Sequence, residues 1–196
     1  MRHFLLCLLV CTASSALNAQ WRIALLSGSA TSHGDARDDV DPAHPEFHAD
    51  HPATLTVAVA RETGRWRVGV EGHHSTADLS EVSASAAVTT FGAFDAWGAG
   101  FEVGVRIAGQ SSTPTLRAGV GLGGDRWSFA GAPARWRAAA HGALEADFPI
   151  GRRWSAVVRG EVTAGPSVFT TEELPEGFRQ RAMWRTGFAL GIARQL

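Results

Sequence analysis

Cysteine is nearly absent from this chain, and where it occurs it is of no use to a folded domain. Cys7 and Cys11 are the only two, and both lie in an N-terminal stretch in which Arg2 and His3 precede the apolar run FLLCLLV and the small residues of TASSALNA follow. That layout is a secretory signal peptide, with cleavage expected near Ala16 or Ala19, so residues 1–19 are read as a leader and residues 20–196 as one exported domain. Val10 is bulky where lipoprotein processing takes a small residue, which argues against a lipid anchor on Cys11. The exported chain therefore has no disulfide, no thiol nucleophile and no thiolate metal site. A charge surplus is also lacking. Of 18 basic and 19 acidic residues, Arg2 belongs to the leader, which leaves 17 against 19, a net of −2. A general nucleic-acid binder would carry a basic balance, so nucleic acid is excluded as the expected partner. Beyond the leader no apolar run approaches the ~18 residues that a membrane helix needs, and no segment has a convincing helical period.

What is present is period two. In FEVGVRIAG (101–109), Phe101, Val103, Val105 and Ile107 share one face of an extended chain, and Glu102, Gly104, Arg106 and Ala108 share the other. Seven further segments alternate in the same way, so the expected strands are 21–29, 54–61, 66–75, 97–109, 115–129, 135–150, 154–165 and 183–196. The connections after the second, fourth and sixth strands are tight, whereas those after the first, third and seventh are long and polar; the loop after the fifth breaks the trend. Short turns at one end and long loops at the other describe an up-and-down antiparallel meander.

The apolar face collects Leu55, Val57, Val59, Val68, Val70, Val103, Val105, Val120, Leu122, Phe188, Leu190 and Ile192. On the opposite face Arg67, Arg106, Arg117, Arg137, Arg159 and Arg185 stand against Glu71, Glu102, Glu145, Asp147 and Glu161, interleaved with glycine and alanine. A polar face turned to water has no need of so many glycines. A closed ring of eight strands has an interior just wide enough to be filled by side chains, and small residues alternating with long charged ones suit that space. An arginine facing lipid at mid-membrane costs ~2–4 kcal/mol, so the charged face is read as luminal and ion-paired, with about a third of these charges expected at the wet rims. Trp21, Trp66 and Trp154 fall at the short-turn end and Trp97, Trp127, Trp136 and Trp184 at the long-loop end, the placement of two interfacial girdles. Trp127 fits only if a bulge at Gly123 and Gly124 reverses its face.

On these grounds the chain resembles the small eight-stranded outer-membrane β-barrels of the OmpA and OmpX type, all-β and transmembrane, over residues 20–196. The last strand carries the most specific likeness: Phe188, Leu190, Ile192 and Leu196 alternate toward the carboxyl end as in that family's assembly signal, although Leu196 stands where the family usually has an aromatic residue and Arg194 interrupts the row. The resemblance implies the bacterial outer membrane, contact with its lipid and lipopolysaccharide, and insertion by the barrel assembly machinery. No cofactor is expected, and because the chain stops with the barrel no periplasmic peptidoglycan-binding domain is expected.

Two stretches invite other chemistry. HHSTADL (73–79) resembles the His-x-Ser segment of outer-membrane lipid A deacylases, which would make His73 the base and Ser75 the nucleophile. Thr76 replaces the expected asparagine, Glu81 is only a loose candidate for the acid, and alternation places His73 and Ser75 in the lumen, away from a lipid substrate. No catalytic, cofactor or metal residue is assigned on this basis; the alternatives of a deacylase and of a soluble periplasmic ligand-binding barrel stay open. The loop at 32–52 gathers Asp35, Asp38, Asp39, Asp41, Glu46 and Asp50 with His33, His44, His48 and His51. It lacks the alternation and turn glycine of a calcium loop and is read as a solvated surface loop; a second acidic loop within 166–180 is expected to join it at the outer rim, the two offering a surface for an unidentified ligand.

Overall fold

The structure is a computed structural model that describes residues 20–34, 36–38, 46–82, 87–110, 113–129 and 132–196; the leader lies outside the described residues. The strands are β1 (Gln20–His33), β2 (Ala36–Asp38), β3 (Glu46–Thr63), β4 (Trp66–Val82), β5 (Ala87–Ala108), β6 (Thr115–Phe129), β7 (Arg135–Pro149), β8 (Trp154–Gly165), β9 (Phe178–Gln180) and β10 (Met183–Gln195). The eight long ones pair antiparallel in the order β1, β10, β8, β7, β6, β5, β4, β3, and β3 pairs back onto β1 to close the ring. Each contains its expected segment to within one residue. Closure leaves no edge in the wall. At the long-loop end, called the outer end below, β2 adds to β3 and pairs with β9, forming a short flap beside the ring.

At the short-turn end Gly64, with φ +60°, lets β3 return directly as β4. The last residues are tied to the start of β1 and to the turn before β8 there: Leu196 N donates to Trp21 O at 2.9 Å and Gln195 N to Arg153 O at 2.9 Å.

The outer end differs from the sequence reading. β3, β4 and β5 run well past the expected segments, and the 22 residues of β5 span about 70 Å at ~3.3 Å each, against an apolar band of ~25 Å in membrane barrels. Their outer parts, such as EFHADHP and AVTTFGAFD, have no continuous apolar face, so period two gave no signal there. Bulges at Asp50/Ala53 in β3 and Ala77/Leu79 in β4 mark where the strands leave the ring wall. Opposite the second, Gly92 has φ +63° and its N–H donates to Asp78 Oδ1 at 2.7 Å, which leaves Phe91 83% exposed.

The outward belt is apolar: Ile23, Leu25, Val57, Val68, Val70, Phe101, Val120, Leu122, Leu144, Phe188, Leu190 and Ile192 are all exposed. Arg67, Arg117, Arg159, Glu71, Glu102, Glu145 and Asp147 are all buried inside the ring. Among the tryptophans, Trp21, Trp66 and Trp154 at the short-turn end and Trp97, Trp136 and Trp184 at the outer end point outward. Trp127 does not join the girdle. The β5–β6 and β6–β7 registers run unbroken through Gly123 and Gly124, so plain alternation carries Trp127 inward, where it is 1% exposed.

Candidate functional site

Charge inside the ring is organised as one large connected network, with His73, Asp125 and Arg185 as a separate cluster nearer the outer end. Arg22 Nη2 holds Asp147 Oδ1 at 2.6 Å and Glu145 Oε1 at 3.0 Å. Arg67 contacts the same Glu145 carboxylate and reaches Glu102 Oε1 at 3.3 Å. Arg159 Nη2 lies 2.7 Å from both Glu102 Oε2 and Glu161 Oε2 and 3.3 Å from Glu71 Oε2. Toward the short-turn end Arg117 joins Asp147 to Glu62, whose Oε2 is 3.1 Å from its Nη2. Removing such groups from water is costly, and only mutual pairing makes their enclosure tolerable.

Space for these long side chains comes from glycines on neighbouring strands. A Cβ on Gly119 would lie 3.0 Å from the Glu102 carboxyl carbon, one on Gly121 would collide with the His141 ring, and one on Gly98 would collide with the His73 ring and Asp125. This is the physical content of the glycine and charge alternation seen in the sequence.

Rim charges behave differently. Arg106 sits at a β5 bulge and its Nη2 donates to Gly64 O at 3.3 Å. Arg137, at the outer end, donates from Nε to Ser167 O at 2.7 Å and from Nη2 to Phe169 O at 3.4 Å. Between the network and the outer end lies a cavity of about 80 Å³ lined by Thr54, Thr56, Glu71, His73, Thr163 and Arg185, room for a few water molecules.

Above the cavity the outer end is closed by apolar packing. Val168 and Phe169 fold inward from the segment after β8 and meet Phe94, Trp127 and Met183, all nearly fully buried. Phe94 and Trp127 pack edge to face at 5.9 Å between centroids, and Phe169 meets Phe94 and Phe129 at 6.0 Å each. Arg135 fixes the segment from outside, pairing with both carboxylate oxygens of Glu173 and donating to Val168 O at 3.2 Å. The hydrogen bonds from Arg135 hold the Glu173 carboxyl well below the ordinary range, at about 2. The stretch 166–180, expected as an acidic loop at the outer rim, is thus a cap whose apolar side faces inward and whose acidic side faces out. The apolar residues were visible in PSVF, but nothing local says that they turn back onto the ring.

The loop at 32–52 is likewise partly strand. Ala36–Asp38 form β2, and Glu46 to Pro52 belong to β3, where Glu46 Oε1 accepts from Gly34 N at 2.7 Å and Asp50 Oδ2 from Ser80 Oγ at 3.0 Å. Asp35, Asp39, Asp41 and His44, and the side chain of His51, lie outside the described residues.

The structure gives the residues of the His-x-Ser segment different partners. His73 Nε2 is 3.0 Å from Asp125 Oδ1, and Arg185 Nη2 holds the other oxygen of that carboxylate at 2.8 Å. Ser75 is 2% exposed and its hydroxyl meets Thr54 Oγ1 at 3.4 Å. Glu81 lies in the outer extension of β4, cross-strand from Phe47 and Val88, exposed and beyond the bulge. Arg22, a network member, and Asp125, the centre of the cluster with His73 and Arg185, were left out of the sequence reading. Alternation against Trp21 and Ile23 marks Arg22, and alternation from Val120 marks Asp125.

No family model matches the chain, and no curated protein matches it. Among solved structures, neisserial surface protein A (NspA) superposes with a TM-score of 0.58 at 9% identity, over 91% of this chain and 99% of that one. Ail, the attachment invasion locus protein of Yersinia pestis, gives 0.44 at 12% identity over 91% and 99%, and the outer membrane protease OmpT of Escherichia coli gives 0.44 at 7% identity over 91% and 96%. The likeness to NspA, together with the closed ring of eight long antiparallel strands, identifies the fold: this chain is built as a small eight-stranded outer-membrane β-barrel.

Proposed function

We propose that the chain is a non-enzymatic integral protein of the bacterial outer membrane whose lumen does not conduct and whose outer end meets the cell's surroundings. One observation carries this reading: the belt that faces away from the ring is apolar, while the charged residues are enclosed and paired. A soluble periplasmic barrel with that surface would aggregate. The filled network and the Val168/Phe169 cap argue against a pore. The buried Ser75 and the engagement of His73 with Asp125 argue against deacylation.

Outer-membrane lipid and lipopolysaccharide are the expected neighbours of the belt. At its outer edge Arg126 is exposed between the cross-strand tryptophans Trp97 and Trp136, which suits a phosphate at headgroup level. The row Phe188, Leu190, Ile192 on β10 is the surface offered to the assembly machinery. The outer extension of β3 to β5, with Phe91 exposed at its bulge, is the part available to a ligand outside the cell.

The test is fractionation followed by bilayer recording. The protein should partition with outer membranes, migrate anomalously on a gel until boiled, and show no steady conductance in a planar bilayer. Release into periplasmic extract without detergent, or a stable open channel, contradicts the proposal.

A further inference from the structure

The luminal network holds more carboxylates than guanidiniums. Following the ion pairs from Arg117 through Arg22 and Arg67 to Arg159 connects six carboxylates, Glu62, Asp147, Glu145, Glu102, Glu71 and Glu161, with four guanidiniums. The surplus is concentrated at the upper end, where Arg159 serves Glu71, Glu102 and Glu161 together. His141 projects into the same place. Its Nε2 lies 3.6 Å from Glu102 Oε2 and 3.7 Å from Glu71 Oε1, and His141 is 8% exposed. That nitrogen has no hydrogen-bond partner among the described residues. A buried polar atom aimed at two carboxylates without a bond to either calls for a physical account.

We propose that Glu71, Glu102 and His141 form a luminal site for one divalent transition-metal ion of the zinc class. The three ligand atoms lie within 4.8 Å of one another, so closing onto bonds of ~2.0–2.2 Å takes only small side-chain movements. One imidazole with two carboxylates suits zinc and its first-row neighbours, whereas calcium and magnesium prefer oxygen alone. A void of about 20 Å³ on the far side of Glu71 and Glu102 from His141 is lined by Arg22, Arg67 and Arg159, so the ion would sit between the imidazole and the two carboxylates and not in that void. Two positive charges would cancel the surplus of the connected network. Arg159 would stay on Glu102 Oε2 as an orienting partner of a ligating carboxylate, and Gly121 gives the His141 ring its room. Glu71 also lines the cavity that contains His73 and Thr54.

The test uses the full mature chain folded in detergent, stripped with chelator, titrated with zinc against a chromophoric competitor, and counted for bound metal after dialysis. One zinc per chain is expected. Affinity should fall at least tenfold in His141→Ala and in Glu71→Gln, each checked for folding by heat-modifiable migration. It should stay unchanged when the histidines of the outer loop, His33, His44, His48 and His51, are replaced together by alanine. No zinc retained at micromolar free metal, or zinc lost in the loop variant and kept in His141→Ala, overturns the proposal. Should neither luminal variant fold, zinc X-ray absorption of the wild-type protein decides: one imidazole with oxygen neighbours supports the site, and a shell of several imidazoles refutes it.

Discussion

Replacing Arg159 by methionine tests whether the lumen is packed or wet. Its guanidinium touches Glu102 and Glu161 at 2.7 Å and Glu71 at 3.3 Å, approaches Glu145 at 3.9 Å, and its side chain is 5% exposed. At an effective dielectric of ~20, one unit-charge pair near 4 Å is worth about 4 kcal/mol before desolvation, and most of that is cancelled by the cost of removing both ions from water. What does not cancel is the loss of one partner. Glu71 and Glu102 stay enclosed, Glu71 loses its guanidinium while the 31% exposed Glu161 keeps access to water, and breaking the buried pairs in this way costs ~3–5 kcal/mol. Equilibrium unfolding in urea, followed by tryptophan fluorescence of the protein in lipid vesicles, should report that loss. Adding Glu71→Gln and Glu161→Gln to the methionine variant removes the two charges left without a guanidinium, so the triple variant should regain at least half of the lost stability. In a water-filled lumen the same arginine would be a solvated ion-pair partner worth ~1 kcal/mol or less. A loss of that size for Arg159→Met alone would refute the packed-lumen reasoning, whatever the outcome for the triple variant.

Leu122→Arg places a charge on the outward belt in the middle of β6, at a position 70% exposed, and should cost ~2–4 kcal/mol in the same vesicle assay; a neutral effect would mean that lipid does not cover this face. Trp127→Ala should destabilise by ~3–5 kcal/mol and loosen the outer cap, seen as faster amide exchange at Phe169 and Met183, whereas Trp136→Ala, at an exposed girdle position, should leave that exchange unchanged. Attachment of the cap is also pH-dependent: because Arg135 lowers the Glu173 carboxyl from 4.5 to about 2, the contribution of this pair is complete above pH ~4.5 and is lost as pH falls through about 2. Protease sensitivity of 166–182 should therefore be flat from pH 7 to 5 and rise on further acidification, and Arg135→Ala should be sensitive throughout.

Local alternation was enough to determine the eight strands, their order of turns and loops, and the faces of the belt valines and of Arg67, Arg117 and Arg159, because in a strand the side chain's direction follows from its parity alone. That same rule, applied without the supposed bulge at Gly123 and Gly124, also puts Trp127 and Asp125 inside. Parity says nothing about who faces whom across the lumen. Arg22 and Glu145 are 123 residues apart, Arg67 and Glu145 are 78 apart, and His73 and Asp125 are 52 apart; they meet only because the ring closes between β1 and β3 and fixes the stagger of every strand. The strand extensions beyond the belt, the β2–β9 flap and the cap of Val168 and Phe169 were equally hidden, since neither two faces of opposite character nor any other local period marks them. Their places are set by contacts with distant strands, and the grouping of Glu71, Glu102 and His141 from three separate strands is decided in the same way.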